Sequence, residues 1–378
     1  MSRILGVLLA LLLALLFATS ALASAPVPPP LAARAWLLLD ATSGQQLASR
    51  NPDGRIEPAS LTKLMTAYIA FSALKSKAIA PAQTVAVSER AWRAAGSRMF
   101  IEPGKPVTVQ ELLHGMIIQS GNDACIALAE TIAGSEQAFV ERMNSEARRL
   151  GMKDTHFANA SGMPDARHYS TTGDLAVLAA ALIRDYPEYY RLYSEREYRY
   201  NDITQLNRNR LLWLDPNVDG IKTGHTESAG YCLIASARRG DRRLVSVLVG
   251  APSERQRNEE SQKLLNFGFQ AYEGLRLYPK DQEISRLSVW KGSEKQLRAG
   301  FTSDLYVTVP TGTADKLQAE IVSEQPLIAP LAAGQRVATL RVALDGRPFG
   351  EYPVVALESV GPANIFQRAW DHVALWFK

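Results

Sequence analysis

The sequence predicts an α+β domain followed by a small all-β domain. Two strand-like runs near residue 40 precede a series of helical patterns, and three more strand-like runs and a helix follow. That order is typical of an antiparallel sheet in which the first strands join the last ones. After about residue 280, short apolar-alternating runs separated by glycine and proline replace the helical patterns. With 378 residues, 47% of them hydrophobic, the chain is long enough for two domains with substantial cores.

The first 25 residues have the pattern of a secretory signal peptide. Arg3 gives a positive start, residues 4–17 form an apolar run, and small residues follow up to Ala25. The run is shorter than the about 20 residues that a membrane-spanning helix needs. We therefore expect residues 1–25 to be removed on export, with an uncleaved N-terminal anchor as the alternative.

Residues 26–280 predict the α+β domain. Residues 33–40 and 46–50 predict two strands joined by a Thr-Ser-Gly turn, and residues 58–74 predict a helix. Further helical patterns occupy residues 109–119, 123–133, 136–150 and 172–185. Three strands with tight connections and a closing helix are then predicted at residues 220–224, 230–237, 243–250 and 259–272.

Residues 281–361 predict the all-β domain. The apolar-alternating runs lie at residues 305–309, 336–344 and 352–358. Asp345-Gly346, between the last two runs, is a strong signal for a two-residue hairpin. The sequence places no catalytic cluster in this region.

Residues 362–378 predict an amphipathic helix. Phe366, Trp370, Val373 and Phe377 follow the spacing of one helix face, and polar residues lie largely opposite. A helix of this length spans roughly 25 Å, less than the roughly 30 Å of a bilayer's hydrocarbon core. We expect it to lie in the plane of a membrane interface, with packing on its own domain or on a partner as the alternative.

Composition argues against several classes of function. Lys and Arg number 42 and Asp and Glu 38, and the net charge of +4 is spread along the chain. Nucleic-acid-binding proteins usually concentrate their basic charge on one face, so we expect no nucleic-acid partner. Two cysteines cannot build a disulfide framework or close a structural zinc site alone. Cys125 and Cys232 lie in apolar stretches, which favours two buried thiols, although export would permit one disulfide.

Ser60-Leu61-Thr62-Lys63 places a hydroxyl and an amine on one face of a predicted helix. Residues three apart have Cβ atoms about 5–6 Å apart, so the Lys63 amine can approach the Ser60 hydroxyl. Serine needs an adjacent base to act as a nucleophile, and lysine can serve when burial or another cation lowers its pKa. Alone the pattern is weak, because Ser and Lys are common on solvated helix faces.

Ser120-Gly121-Asn122 lies between two predicted helices. The glycine suits a tight loop that presents both flanking side chains to one side. A hydroxyl can relay a proton, and a carboxamide can bond a peptide group with both donor and acceptor. Taken alone, a helix-capping turn is the simpler interpretation.

Lys222-Thr223-Gly224-His225 lies at a predicted strand. Lys222 offers a charge and Thr223 a hydroxyl for a substrate carboxylate. Gly224 would let a ligand backbone approach the strand, which could then bind an extended peptide. Taken alone, this segment predicts only an exposed strand end.

Together and in this order, the three motifs resemble the S-x-x-K, S-x-N and K-T-G set of the penicillin-recognising serine enzymes. Four longer segments of the sequence resemble the low-molecular-mass penicillin-binding proteins, specifically the type-5 D-alanyl-D-alanine carboxypeptidases. These segments are residues 58–63, 119–125, 205–209 and 218–226. The resemblance runs from about residue 30 to the end of the chain. It implies a β-lactamase/transpeptidase-like sheet with helices on both sides and an all-helical subdomain. A C-terminal β-sandwich over residues 281–361 and a membrane-anchoring helix over residues 362–378 would follow.

The resemblance also implies catalytic roles for four residues. Ser60 would be the acyl-enzyme nucleophile, and Lys63 would be its general base. Ser120 would help pass a proton to the leaving D-alanine, and Asn122 would hold the substrate amide.

The substrate-binding set that the resemblance implies is Lys222, Thr223, Gly224 and His225. Lys222 would supply electrostatic binding, and Thr223 would bind the terminal carboxylate of the substrate. The backbone N–H groups of Ser60 and His225 would form the oxyanion hole.

Arg208 and Arg257 are further candidates for carboxylate binding. The family has no required metal or cofactor. The histidines that could be considered as ligands, His114, His156 and His168, show no ligand spacing, so no metal site is expected.

The function that the resemblance implies is a serine D,D-carboxypeptidase. It would remove the terminal D-alanine from peptidoglycan pentapeptides and would be acylated by β-lactams. It would lie peripherally on the periplasmic face of the inner membrane. A D,D-endopeptidase that cuts cross-links is the alternative, because the same catalytic residues serve both reactions. A class A β-lactamase would usually have S-D-N and E-x-x-L-N motifs, whereas this chain has Gly121 in the first and lacks the second. A non-catalytic wall-binding protein would be expected to have a broken motif.

Overall fold

The computed structural model describes residues 25–377. The predicted signal peptide falls almost entirely on residues 1–24, outside the described residues. The described chain forms two compact units, Pro28–Gln270 and a second unit that begins at Ala271. The predicted domain boundary at residue 280 falls after the first strand of the second unit, Tyr272–Tyr278.

A five-stranded antiparallel sheet forms the centre of the first unit. The strands of this unit are β1 (Ala35–Asp40), β2 (Gln45–Arg50), β3 (Thr84–Val85), β4 (Val107–Thr108), β5 (Glu197–Tyr200), β6 (Ile203–Leu206), β7 (Val218–Thr226), β8 (Gly230–Arg239) and β9 (Arg242–Ala251). The central sheet has the order β2-β1-β9-β8-β7, so the first strands join the last ones, as predicted. Strands β3–β4 and β5–β6 form two small antiparallel pairs outside it. Strand β7 is an edge of the central sheet.

Helices surround the sheet and fill the long segment between its early and late strands. They are α1 (Lys63–Lys75), α2 (Glu89–Trp92), α3 (Val109–His114), α4 (Asn122–Ala133), α5 (Glu136–Leu150), α6 (Thr172–Asp185), α7 (Pro187–Tyr190), α8 (Leu211–Leu214) and α9 (Glu254–Ala271). Capping fixes several ends: Ser135 and Thr171 accept hydrogen bonds from the first turns of α5 and α6, and Gly151 ends α5 in a left-handed conformation.

Three predicted helices differ in detail from the observed ones. The predicted helix at 58–74 consists of a 3-10 turn, Ala59–Thr62, followed by α1, and the pattern at 109–119 is α3 followed by a π-helical turn, Gly115–Gln119. The closing helix begins at Glu254 rather than 259, because its first turn is polar and carries no apolar periodicity.

The two faces of the central sheet are covered by separate hydrophobic cores. Val245 and Val247 point into the core that contains most of the helices, whereas Leu244 and Leu248 pack with Leu264 of α9 on the opposite face. Alternate residues of a strand point to opposite faces, so one strand serves both cores. The prediction of an antiparallel sheet with helices on both sides is confirmed.

The second unit is built from strands. They are β10 (Tyr272–Tyr278), β11 (Ser285–Trp290), β12 (Gln296–Gly300), β13 (Leu305–Pro310), β14 (Leu317–Ser323), β15 (Leu327–Ile328), β16 (Arg336–Leu344) and β17 (Arg347–Ala356). A two-stranded ribbon, β10–β13, accompanies a six-stranded sheet of order β14-β16-β17-β12-β11-β15. Asp345 and Gly346 turn β16 into β17 with φ angles of 53° and 72°, so the predicted hairpin is present.

The chain ends in an amphipathic helix, α10 (Ile365–Ala374), and a 3-10 turn, Leu375–Phe377. Its polar side is tied to the second unit: Asp371 Oδ2 accepts a hydrogen bond from the Lys291 backbone N–H at 2.6 Å, and Lys291 Nζ lies 3.1 Å from His372 Nδ1. Its large apolar side chains are exposed, namely Ile365, Phe366, Trp370, Val373 and Trp376.

Within residues 25–377, no helix combines the length and the apolar character that crossing a bilayer requires.

Candidate active site

The 3-10 turn and the start of α1 bring Ser60 and Lys63 into contact. Lys63 is the first residue of α1, and its Nζ lies 2.9 Å from Ser60 Oγ. The side chain of Lys63 is buried, whereas Ser60 lines an open cleft. The spacing of three residues thus produces the contact that the sequence predicts.

The Lys63 amine is surrounded by three oxygen atoms. It donates to Asn122 Oδ1 at 2.7 Å and to the Ser161 carbonyl at 2.6 Å, in addition to the contact with Ser60. Burial lowers the pKa of Lys63 from 10.5 to about 8. A neutral amine has two N–H bonds and one lone pair. Because the two carbonyl oxygens can accept both N–H bonds, the lone pair is left for the Ser60 hydroxyl.

The Ser120–Asn122 loop is positioned by its surroundings. Ser120 has a left-handed φ of 67° at the end of the π-helical turn, and α4 begins at Asn122. Asn122 Nδ2 donates to the Ala95 carbonyl at 2.7 Å, so both ends of the amide are held. The buried Asp123 carboxylate accepts backbone N–H bonds from residues 99–101. The other N–H of Asn122 donates only to Met163 Sδ at 3.5 Å, a weak acceptor that a ligand carbonyl can replace.

The K-T-G-H segment lies on β7, whose free edge borders the cleft. Lys222 and Thr223 are buried, and Lys222 Nζ donates to the Thr223 carbonyl at 3.1 Å. Burial, together with the positive charges of Lys63 and Arg208, lowers the pKa of Lys222 well below its usual value. His225 is exposed, and its ring centroid lies 4.1 Å from that of Tyr231.

Gly224 allows another segment to pack closely against β7, as predicted for a glycine, but that segment is the turn at residues 58–61 and not a ligand backbone. A Cβ added at Gly224 would lie 3.3 Å from Ala59 Cβ and from Leu61 Cγ. The missing side chain therefore lets β7 pack directly against the turn that carries Ser60.

The three motifs meet in one cleft of about 460 Å³. Ser60, Ser120, Thr223, Gly224 and His225 all line it. Lys63, Asn122 and Lys222 lie behind the residues that line the cleft. Lys63 and Asn122 are hydrogen-bonded to each other.

The two arginines singled out from the sequence also lie at this cleft. Arg257 is buried and donates to Glu254 Oε1 at 3.1 Å and to the Arg208 carbonyl at 3.4 Å. Both Arg208 and Arg257 line the cleft. In the described part of the chain, the Arg208 guanidinium has no acidic group within 4.0 Å, so its charge is available to a ligand.

Sequence reasoning missed the loop at residues 159–163. The Asn159 side-chain oxygen accepts backbone N–H bonds from Ser161, Gly162 and Met163 at 3.2, 2.7 and 3.0 Å. Gly162 has a φ of 86°, and a Cβ there would lie 1.8 Å from the Ala59 carbonyl oxygen. This loop presents the Ser161 carbonyl to Lys63. The Asn and Gly pair is a turn signal, but a backbone acceptor has no signature in the sequence.

His168 lies behind the nucleophile turn. Its Nε2 is 2.9 Å from Thr62 Oγ1, and burial lowers the pKa of His168 to about 4. Between residues 25 and 377 no three His, Cys, Asp or Glu side chains are arranged to hold a metal ion. Cys125 and Cys232 are buried free thiols and do not form a disulfide.

Comparison with known protein families shows which family the chain belongs to. Residues 22–253 match the family model described as D-alanyl-D-alanine carboxypeptidase, which is more than half of the chain. The chain belongs to the D-alanyl-D-alanine carboxypeptidase family. Residues 272–362 match a second model, the C-terminal domain of penicillin-binding protein 5. The protein is accordingly an enzyme, a serine hydrolase of this family.

Individual members of the D-alanyl-D-alanine carboxypeptidase family are similar over nearly the whole chain. The D-alanyl-D-alanine carboxypeptidase DacC of Escherichia coli is 43% identical over 357 residues, covering 92% of this chain and 89% of that protein. The crystal structure of penicillin-binding protein 5 from Haemophilus influenzae has a TM-score of 0.85 and 40% identity. The match covers 89% of this chain and 99% of that one.

A third relative carries a ligand. A penicillin-binding protein of Listeria monocytogenes, solved in its ampicillin-bound form, has a TM-score of 0.60 and 30% identity. The match covers 65% of this chain and all of that one. The resemblance that the motifs indicated, to penicillin-recognising carboxypeptidases with an α+β fold and a C-terminal all-β domain, is confirmed.

Proposed function

We propose that this protein removes the terminal D-alanine from peptidoglycan pentapeptide stems through an acyl-enzyme on Ser60. The observation that carries the proposal is the Lys63 amine, which is buried, bonded to two carbonyl oxygens and 2.9 Å from Ser60 Oγ. Burial brings its pKa to about 8, so about a tenth of the amine is neutral at pH 7.

Acylation begins at the Ser60 hydroxyl. The Lys63 lone pair takes its proton while Oγ attacks the carbonyl carbon of the penultimate D-alanine. The backbone N–H groups of Ser60 and His225 are assigned to the oxyanion that forms, and each such donor is typically worth about 2.7–4 kcal/mol.

Departure of D-alanine needs a proton on its amine. Ser120 lines the cleft and is assigned the relay of this proton to the leaving nitrogen. The N–H of Asn122 that contacts Met163 Sδ is assigned to the substrate amide, which replaces this weak acceptor and fixes the peptide beside Ser60. Water then hydrolyses the ester and returns Ser60.

In this proposal, β7, Arg208 and Arg257 bind the substrate. The free edge of β7 can pair with an extended peptide. The terminal carboxylate is assigned to Thr223 and Arg208. Arg257 adds positive charge at the cleft wall, and Lys222 adds electrostatic binding from the layer behind.

The test uses a D-alanine-terminated pentapeptide and fluorescent penicillin. The wild-type protein should release free D-alanine and become labelled, and Ser60→Ala should do neither. Ser72→Ala, which alters an exposed serine on α1, is the matched control and should behave as wild type. Labelling of the Ser60→Ala protein would refute the nucleophile assignment. The Listeria relative with bound ampicillin supports a β-lactam as the probe.

We also propose the arrangement of the whole chain. Residues 1–25 would be a signal peptide, 26–280 the catalytic domain, 281–361 a β-sandwich and 362–378 a membrane anchor. The enzyme would then lie peripherally on the periplasmic face of the inner membrane, with no nucleic-acid partner. The exposed aromatic side chains of α10 support the anchor. Deleting residues 362–378 should move the protein from the membrane fraction to the soluble fraction, and continued membrane association would contradict it.

A further inference from the structure

Met163 differs from the other methionines of the described chain. Its side chain is 40% exposed, whereas the others between residues 25 and 377 are at most 2% exposed. These buried methionines are Met65, Met99, Met116, Met143 and Met152. Both cysteines are buried as well. The sulfur that an oxidant in solution meets first is therefore that of Met163, because the oxidation of sulfur groups follows their exposure.

The Met163 thioether lies against a residue of the candidate active site. Its Sδ is 3.5 Å from Asn122 Nδ2, and the same amide accepts a hydrogen bond from the Lys63 amine at 2.7 Å. A thioether is a weak acceptor. The N–H that the proposed function assigns to the substrate amide is therefore held only weakly while the sulfur stays reduced.

The position of Met163 beside Asn122 is fixed by its backbone. The Met163 N–H donates to Asn159 Oδ1 at 3.0 Å, and the Met163 carbonyl accepts from Asn159 Nδ2 at 2.9 Å. Gly96 lies beside the contact: an added Cβ there would be 2.9 Å from Asn122 Nδ2 and 3.9 Å from Met163 Sδ. The sulfur is thus held next to the Asn122 amide, and residue 96 has no side chain to cover it.

We propose that Met163 is an oxidation site that controls the access of substrates to Asn122. The inference rests on the proposed function. A peroxide converts the thioether to a sulfoxide, which makes the side chain polar and gives it an oxygen acceptor. This oxygen would accept the N–H of Asn122 that the substrate amide needs. A peptide or a β-lactam would then have to displace a full hydrogen bond, so the acylation of Ser60 would slow.

The chemical step transfers an oxygen atom from the peroxide to sulfur. With hydrogen peroxide, the oxygen–oxygen bond breaks, a sulfur–oxygen bond forms and water leaves. Sulfur is oxidised by an electron pair, and the peroxide is reduced by the same pair. Methionine sulfoxide reductases reverse the step, with one enzyme for each sulfoxide epimer, and a dithiol that becomes a disulfide supplies the electrons. The inhibition should therefore be reversible.

The experiment treats the full chain with dilute hydrogen peroxide, removes the peroxide with catalase and measures labelling by fluorescent penicillin. The tryptic peptide 154–167 contains Met163 and no other methionine, so mass spectrometry reports its oxidation directly. Acylation of the oxidised wild-type protein should slow roughly tenfold, because a hydrogen bond to oxygen replaces a weak contact to sulfur. Release of D-alanine from pentapeptide should slow with it. Both sulfoxide reductases together with a dithiol should restore the two rates.

Two variants separate Met163 from the other methionines. Each is compared with its own untreated sample, whose labelling shows that the variant is folded. Met163→Leu should keep its acylation rate after peroxide treatment, because leucine has no sulfur to oxidise. Met152→Leu, which removes a buried methionine, should be inhibited by peroxide as the wild-type protein is.

Three results would overturn the inference. Peptide 154–167 could stay unmodified while a free methionine peptide in the same solution is oxidised. The wild-type protein could contain the sulfoxide at Met163 and still be labelled as fast as before. Met163→Leu could be inhibited as strongly as wild type. In each case, untreated enzyme that releases D-alanine leaves the proposed function standing, whereas untreated protein that releases none would refute that function and the inference with it.

Discussion

Lys63 and the apolar face of α10 are both exceptions to the rule that polar groups lie outside and apolar groups inside. Lys63 is a charged residue that is buried, and α10 has an apolar face that is exposed. Lys63 is an amine that is only 1% exposed, whereas Phe366 on α10 is 87% exposed. A buried amine costs free energy unless it is hydrogen-bonded, and three oxygen atoms surround Lys63. Among residues 25–377, the large apolar side chains of α10 stay exposed. The buried amine is thus satisfied within the fold, whereas the described residues leave the aromatic face of α10 uncovered.

The strongest test of the Lys63 site is a substitution that keeps the positive charge but cannot accept a proton. Lys63→Arg should lower the acylation rate roughly 10³-fold, because a guanidinium stays protonated and cannot accept the Ser60 proton. Fluorescent-penicillin kinetics measure this rate, with the exposed Lys153→Arg as control. Activity of Lys63→Arg within tenfold of wild type would remove Lys63 from the general-base role.

The pH dependence of the acylation rate tests whether burial lowers the pKa of the Lys63 amine. In the proposed mechanism the neutral amine is the active form, and burial lowers the pKa of Lys63 to about 8. The rate of acylation should therefore rise with pH up to about 8, and at pH 6 it should be roughly a hundredfold below its plateau. A profile that is flat from pH 5 to 9 would contradict a base with this pKa.

His168 offers a second buried basic group, whose effect is on stability. Burial lowers its pKa from 6.5 to about 4, so the folded state binds the proton less readily than the unfolded state. This contribution to stability is complete above pH 6.5 and is lost as pH falls towards 4. By pH 5 the loss should be on the order of 2 kcal/mol.

Urea unfolding of wild type and His168→Gln at pH 7.5 and pH 5 measures this contribution. The decrease in stability between the two pH values should be smaller in the variant, by the amount given above. His156→Gln changes a less buried histidine and serves as the control. Equal decreases in all three proteins would show that His168 does not titrate in this way.

The exposed face of α10 predicts the smallest of these effects. Trp370→Ala should weaken binding to phospholipid vesicles about tenfold, the equivalent of part of one buried aromatic side chain. Trp92→Ala, which removes an exposed tryptophan from the other unit, should leave binding unchanged. If both variants bind as tightly as wild type, the aromatic face is not the membrane contact.

Local sequence signals predicted most elements of the fold. Helices α5 and α6 coincide with the predicted ranges 136–150 and 172–185, because a capping residue precedes an apolar period in each. The β5–β6 hairpin was not predicted. Its strands are short and largely exposed, so they lack a clear apolar alternation.

The amino-acid sequence alone determined the order of the longer strands and helices of the first unit, the three motifs and the i, i+3 contact between Ser60 and Lys63, since all of these depend on near neighbours. Tertiary structure decided which groups complete the site. The Ser161 carbonyl is a backbone atom without a residue signature, and it reaches Lys63 only because the 159–163 loop packs under α1. The cleft likewise takes Ser120, Arg208 and Thr223 from three separate segments. Spacing along the chain carries no information about such long-range contacts, because only packing brings distant segments together.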